Sequence, residues 1–310
     1  LVAACALFYA LEIAPSYDPI EKVDYDEIKS AYDTRVEWTN SRKGKNNEGA
    51  HPAVIYSIFQ FMSWNSLDIK RMAALEKNDL KEYTYLTNRW YAFVDKHTYT
   101  TGYYSYNPRY YTYGNPDAHE QGHLSYLSTA TRYGNYVILD KKITIDVLEE
   151  RTATQTIYRL LESYLPYVFY IGCLLLTVDI VLQDRRNPSL LRGYPIADWK
   201  KMFAKGITAF VGSIALIIPM LIAYFIIAIQ SGFGSLQLPI PVIIEENYKP
   251  AFDAITLGQY FGQVGLLILG WFAVIISLVL LLSVTIRQEL ANLAGGVVLI
   301  FSEKFYIDKG

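Results

Sequence analysis

Residues 207–229 read ITAFVGSIALIIPMLIAYFIIAI, a stretch without a charged side chain. A helix formed from it is apolar on every face, and such a helix is either buried in a large core or inserted in a membrane. About 20 apolar residues are needed to cross a hydrocarbon core about 30 Å thick. The stretch therefore predicts a membrane span, and Pro219 in its middle predicts a kink.

Three other runs have the same character and predict further spans. They cover residues 164–182, 261–286 and 291–306. The last run is the shortest, because Glu303 and Lys304 interrupt it. Together with residues 207–229, these runs predict a transmembrane domain over residues 164–310.

Residues 1–13 form a fifth apolar run, which is too short to cross a membrane upright. The run lacks the basic start and the small-residue cleavage site of a signal peptide. We interpret it as the outer end of a first transmembrane helix whose beginning precedes this numbering.

The distribution of basic residues predicts the orientation of the spans. Six of them lie within residues 183–206: Arg185, Arg186, Arg192, Lys200, Lys201 and Lys205. Residues 230–260 carry only Lys249, against three acidic residues. Lysine and arginine accumulate in cytoplasmic loops. We therefore expect a multi-pass protein of the cell membrane, with residues 183–206 in the cytoplasm and residues 14–163 and 230–260 outside.

The polar residues 14–163 are predicted to form one extracellular domain. Apolar residues spaced by three and four predict four helices there, Asp24–Trp38, Pro52–Trp64, Leu67–Leu75 and Asp79–Asp95. Asn65 or Ser66 and Asn78 are candidate caps of the third and fourth. A further helix is expected from Asp117, and another from about Ile145 that runs into the span at Tyr164. The predicted fold class is membrane all-α: a polytopic helical bundle with a mostly helical extracellular domain inserted after the first span.

Composition excludes some functions. The net charge is −2, and no basic domain indicates a nucleic-acid partner. The two cysteines, Cys5 and Cys173, lie in apolar runs and predict packing residues rather than a disulfide. An external domain so poor in cysteine is more typical of a bacterial surface than of an animal one. No Gly-x-x-x-x-Gly-Lys-Ser/Thr phosphate loop occurs, so any ATP that drives this protein is expected to bind another polypeptide.

The predicted cytoplasmic loop contains a candidate docking helix. After Pro188 and Pro195, Asp198 is a candidate helix cap. Beyond it, one helix face carries three apolar residues, Trp199, Met202 and Phe203. Two interpretations remain open: an interfacial helix with aromatic anchors and snorkelling lysines, or a coupling helix that docks into a groove of a cytoplasmic partner.

This layout resembles the ABC-2 family of transporter permeases, the transmembrane subunits of type V ABC exporters. Its most specific stretch is DRRNPSLLRGYP at residues 184–195. The resemblance implies a permease without enzymatic activity or a cofactor of its own, with ATP and Mg bound by a cytoplasmic ABC ATPase subunit. It also implies a second permease copy or homologous half, and a sixth span that is missing or lies beyond residue 310. The ATPase-coupling residues it implies are Arg192, Tyr194, Asp198, Trp199, Met202 and Phe203.

The main rival interpretation is a membrane-anchored zinc metalloprotease. His119-Glu120-Gln121-Gly122-His123 matches the H-E-x-x-H pattern, in which two histidines bind zinc and the glutamate acts as base. The longer metzincin signature is absent, and the third ligand would have to come from Glu149 or Glu150. We therefore expect a solvated helix without zinc. A receptor or immunity protein that does not transport is the third interpretation.

Two further features have a functional and a structural interpretation each. Asp179 near the inner end of a span could line a pathway or pair with Arg185 or Arg186. Residues 99–113 contain seven tyrosines, which are typical both of recognition surfaces and of structural packing.

Overall fold

The computed structural model describes residues 2–43, 51–101, 104–139, 141–186, 197–246, 249–286 and 288–307. They form two compact units. The apolar unit comprises Leu1–Tyr17, Thr152–Phe233 and Gly258–Gly310. The polar unit comprises Asp18–Arg151 and Gly234–Leu257.

Helices account for most of both units. In chain order they are α1 (Val2–Phe8, followed by a π-helical turn, Tyr9–Ile13), α2 (Tyr25–Lys43), α3 (Pro52–Glu76), α4 (Leu80–Thr101), α5 (Ala118–Ile138), α6 (Ile145–Leu148), α7 (Ala153–Glu162), α8 (Leu165–Arg186), α9 (Asp198–Ala215), α10 (Ile218–Ser231), α11 (Leu257–Thr285) and α12 (Glu289–Ile307). Two strands, β1 (Pro239–Glu246) and β2 (Lys249–Thr256), lie between α10 and α11.

All five apolar runs predicted from the sequence are helical. Among the described residues, two helical segments are long and apolar enough to cross a membrane, Asp198–Ser231 and Leu257–Thr285. A third qualifies if the bent pair Ile145–Glu162 and Leu165–Val181 is counted as one span. The segments Ala3–Ile13 and Leu290–Ser302 are apolar but shorter.

Two prolines interrupt the apolar helices. A break lies where the kink was predicted, because α9 ends at Ala215 and α10 begins at Ile218 with Pro219 in its first turn. The prediction of one helix from Ile145 into the span is wrong. The helices on either side of residues 163 and 164 are bent by 66°, since Pro166 lacks an N–H and its ring would clash with the carbonyl of Glu162 in a continuous helix.

The predicted helix from Ile145 is interrupted a second time, between α6 and α7. Glu150 adopts a φ of 56°, a left-handed conformation that no helix interior contains. The next helix, α7, begins at Ala153, whose N–H donates to the carbonyl of Gly232. The sequence pattern did not reveal this turn, because neither glycine nor proline marks it.

In the polar unit α2 packs on α3, α3 on α4, and α4 on α5. Two boundaries differ from prediction. The expected break at Asn65 or Ser66 is wrong, since α3 continues to Glu76. Asn78 does not cap α4 either. It occupies a turn with a φ of 55°, and the Asp79 carboxylate accepts the N–H of Glu82 instead.

The connection between α10 and α11 forms an antiparallel hairpin, paired from Pro239↔Thr256 to Glu246↔Lys249. Both strands pack against α5, so this ribbon belongs to the polar unit. An all-α fold class omits the ribbon and is correct only as a description of a mostly helical chain.

Candidate functional site

The candidate coupling residues lie at the start of α9. The helix begins at Asp198, after Ala197, whose side chain makes no capping hydrogen bond. The expectation that Asp198 caps the helix is wrong: it is the first helical residue, and its carboxylate lies 3.4 Å from the ammonium of Lys201. A carboxylate in the first turn is still favourable, because the N-terminus of a helix carries partial positive charge.

The three apolar side chains share one face, as the sequence predicts. Trp199 and Phe203 are each 67% exposed, and Met202 is half-buried. All three line an open apolar groove of about 800 Å³ between α9 and α11, with Ile276 and Leu280 on its other side.

These residues do not form a separate short helix, because α9 continues through Gly206 to Ala215. A single glycine weakens a helix without ending it. The ammonium of Lys200 lies 5.6 Å from the centroid of the Trp199 ring, within the range of a cation–π contact. The arrangement presents a rigid aromatic surface, edged with positive charge, at the end of an apolar helix.

The rest of the predicted loop falls largely outside the described residues. Arg192 and Tyr194 lie there, as do the side chains of Arg185 and Arg186. Asp179 is exposed on α8. Its pairing with either arginine stays a prediction.

The H-E-x-x-H residues lie in the first turns of α5. Asp117 precedes this helix at the predicted position but makes no side-chain capping bond. The Nδ1 atom of His123 lies 2.8 Å from Oδ1 of Asp95, a buried carboxylate that also accepts a hydrogen bond from the hydroxyl of Tyr106. The Tyr99 ring stacks on the His123 ring at 3.8 Å. These contacts fix His123 as part of a packed polar cluster.

The suggested third zinc ligands lie elsewhere. Glu150 pairs with Arg132, and Glu149 lies 2.7 Å from Nε of Arg151. Thirteen residues of α5 separate Arg132 from His119, about 20 Å at the rise of an α-helix. Within the described ranges, no three His, Cys, Asp or Glu side chains are arranged to hold a metal ion. The absence of zinc stays a prediction.

Comparison with protein-family models, with curated proteins and with solved structures gives no match to this chain.

The polar unit contains a buried ion-pair network that the sequence analysis missed. Arg132 of α5 is 9% exposed and pairs with Glu21 and Glu150. Glu21 also accepts hydrogen bonds from Thr129 at 2.8 Å and Tyr110 at 3.3 Å. The network fastens the segment before α2 and the segment after α6 to α5. Its partners are far apart in sequence, so no local pattern could have revealed it.

The tyrosine-rich segment serves mainly as packing. Tyr106 is 3% exposed, and the hydroxyl of Tyr110 lies 2.7 Å from that of Tyr91. Burial raises the pKa of Tyr126, which the Tyr106 and Tyr110 rings contact, to about 12. Burial also raises the pKa of Tyr91. These hydroxyls therefore stay neutral hydrogen-bonding groups, and among the described tyrosines of this segment Tyr113 is the most exposed, at 93%.

Proposed function

We propose that this chain is the membrane-spanning permease subunit of an ATP-driven exporter, coupled through residues 183–206 to a separate cytoplasmic ATPase. In this proposal it is a multi-pass protein of a bacterial cell membrane that works with a second permease copy or homologous half. The observation that carries it is the exposed pair Trp199 and Phe203, which follows the basic segment directly and begins an apolar helix.

The two chain segments that form the polar unit support the predicted topology independently of the distribution of basic residues. Basic residues predict that residues 14–163 and 230–260 lie on one side of the membrane and residues 183–206 on the other. Two parts of the first pair, residues 18–151 and 234–257, fold into one unit. The aromatic end of α9, one apolar crossing away, then lies on the opposite side, where a cytoplasmic ATPase would meet it.

Aromatic residues on a rigid helix are the side chains that most often dominate a protein–protein interface. Trp199 and Phe203 occupy positions i and i+4, so they form one continuous contact patch. Lys200 and Lys201 beside the patch provide positive charge for an acidic rim on the partner. The resemblance of residues 184–195 to ABC-2 permeases supports the choice of an ATPase as that partner.

The test starts with purification of the full chain from its native membrane together with the proteins that are bound to it. We expect an ATPase carrying a phosphate loop to copurify. Replacing Trp199, Met202 and Phe203 together by Ala should weaken ATPase binding by about 2 kcal/mol or more, the usual cost of hot-spot truncation. Binding is measured by titrating the purified ATPase against permease in lipid nanodiscs.

A matched control replaces Val211 and Ile214 by Ala, because these exposed apolar residues lie deeper on the same helix and outside the groove, at 60% and 40% exposure. This variant should bind the ATPase normally. If no ATPase copurifies, the exporter proposal is wrong. If the triple variant binds the ATPase as tightly as the original chain, the aromatic patch is an interfacial anchor and not a coupling site.

A further inference from the structure

A second cavity lies within the apolar unit, among the α7–α8 junction, α8, α11 and α12. Its volume is about 800 Å³, within the roughly 300–1,000 Å³ typical of small-molecule sites. It is distinct from the groove beside Trp199, which lies between α9 and α11. In the topology proposed above it opens toward the outer half of the membrane, because α8 and α11 begin on the outer side.

One end of this cavity is polar and acidic. The hydroxyl of Tyr260 donates a hydrogen bond of 2.6 Å to Oε1 of Glu162. Glu162 is the last residue of α7, where the helix C-terminus adds partial negative charge. The sharp bend that follows leaves this carboxylate exposed at the cavity rim. Among the described residues that line the cavity, Glu162 is the one with a charge.

The other end is apolar and aromatic. Trp271 lies eleven residues along α11 from Tyr260, about 16 Å at the rise of an α-helix. The Tyr170 ring lies 5.7 Å from the Trp271 ring, and Leu267 and Leu299 complete this end of the lining. Polarity is therefore graded along one axis, from an acid at the rim to an indole near the middle of α11.

We propose that this cavity binds a small amphipathic cation, with its ammonium-type head at Glu162 and its single apolar tail along Trp271. The inference rests on the proposed function, because it names the class of molecule that the permease carries. A positive head with N–H groups donates a charge-assisted hydrogen bond to the carboxylate of Glu162 and meets the electron-rich faces of the tyrosine rings. An anionic head at the same place would be repelled by the negative charge of the Glu162 carboxylate.

The probe is a primary alkylammonium amphiphile, whose N–H groups can donate to Glu162, with a bromine atom in its alkyl tail, added to the full chain in nanodiscs of zwitterionic lipid. Bromine quenches tryptophan fluorescence only at close range, so the Trp271 signal reports the tail. Trp271→Phe identifies that signal, because four other tryptophans are present. We expect saturable quenching, with affinity falling about fourfold for each methylene removed from the tail.

The head is tested with a sulfate amphiphile carrying the same brominated tail, which should bind at least tenfold more weakly. Glu162→Gln should weaken binding of the cation about tenfold and abolish the preference for the cationic head. Glu12→Gln is the matched control, since Glu12 is another exposed glutamate of the apolar unit, and it should bind as the original chain does. Thermal unfolding of each variant confirms that it is folded.

Equal quenching by both heads, or quenching that rises without saturation, would identify the cavity as an ordinary lipid-facing surface and overturn the inference. So would a Glu162→Gln variant that keeps both affinity and head preference. The measurement needs no ATPase, which separates the two proposals. If an ATPase copurifies but the cation does not bind, this inference alone is overturned. If the cation binds but no ATPase copurifies, the permease proposal is overturned.

Discussion

The two units of this protein bury different kinds of side chain. The largest fully buried residues of the polar unit include Tyr83, Tyr133 and Tyr136, and Arg132 is buried among them with its two carboxylate partners. The largest in the apolar unit include Phe272 and Ile275, which carry no polar group. The polar unit therefore buries paired charges and phenolic hydroxyls, whereas the polar groups buried in the apolar unit are uncharged ones such as Gln155, Thr177 and Ser213.

This difference follows from the solvent that each unit is expected to face. In water, burial of apolar surface stabilises a fold, and a polar group can be included if its hydrogen bonds are satisfied. In a membrane, lipid tails are as apolar as leucine, so helices associate through close packing of small residues. The polar unit should therefore be sensitive to the loss of one partner, and the apolar unit to added volume.

The largest effect is expected from Arg132→Met. This change removes the buried cation that Glu21 and Glu150 share, whose side chains are 10% and 24% exposed, and removal of one partner from a buried ion pair typically costs about 3–5 kcal/mol. The free energy of unfolding can be measured by urea titration of the full chain in micelles. Tryptophan fluorescence serves as the probe, since three of the five tryptophans lie in the polar unit.

Arg109→Met provides the control for that prediction. Its pair with Asp18 is exposed, with 46% and 57% of the two side chains accessible, so its loss should cost about 0–1 kcal/mol. Equal effects of the two substitutions would contradict the view that buried ion pairs hold the polar unit together.

A smaller effect is expected where α12 crosses α8. A Cβ atom added at Gly296 would lie 2.2 Å from Cδ1 of Leu174, a side chain that is 1% exposed and has little room to move. Gly296→Ala should therefore destabilise the apolar unit by about 1–3 kcal/mol through overpacking. The midpoint of thermal unfolding in micelles, followed by circular dichroism, measures the change.

Gly262→Ala is the matched substitution, because no atom lies within 4 Å of a Cβ added at Gly262. It should be neutral or slightly stabilising, since Ala favours helix more than Gly does. Adding Leu174→Ala to Gly296→Ala should cost less than the two single changes together. Strict additivity would show that the two residues do not press on each other.

The smallest effect concerns pH and lies in the polar unit. Burial lowers the pKa of His97 below its ordinary value of 6.5, and Lys96 lowers it further. The unfolded chain therefore binds the proton more readily, so the stability that neutral His97 contributes is complete above pH 6.5. It is lost as the pH falls from there to the folded pKa. His97→Gln should flatten this part of the stability profile in urea titrations at several pH values, and an unchanged slope would assign the dependence to another group.

The sequence predicted the helical runs well because hydropathy and periodicity are local properties. Residues 207–229 and 261–286 contain enough apolar side chains to specify helices without reference to the rest of the chain. The interruption at Pro219 was equally readable, since the missing N–H acts on neighbouring residues. Trp199, Met202 and Phe203 were placed on one face for the same reason, but the continuity of α9 was not recognised, because Asp198–Gly206 also fits a short separate helix.

The sequence by itself determined which segments are apolar helices, that Pro219 interrupts one of them and which loops carry positive charge. Tertiary structure alone decided that the hairpin Pro239–Thr256 packs on α5, that Arg132 pairs with Glu21 across more than one hundred residues, and that Glu162 meets Tyr260. The physical reason is range. Hydropathy and backbone propensity act over a few residues, whereas these contacts depend on how the chain closes, and many other acids and tyrosines could have supplied the same groups.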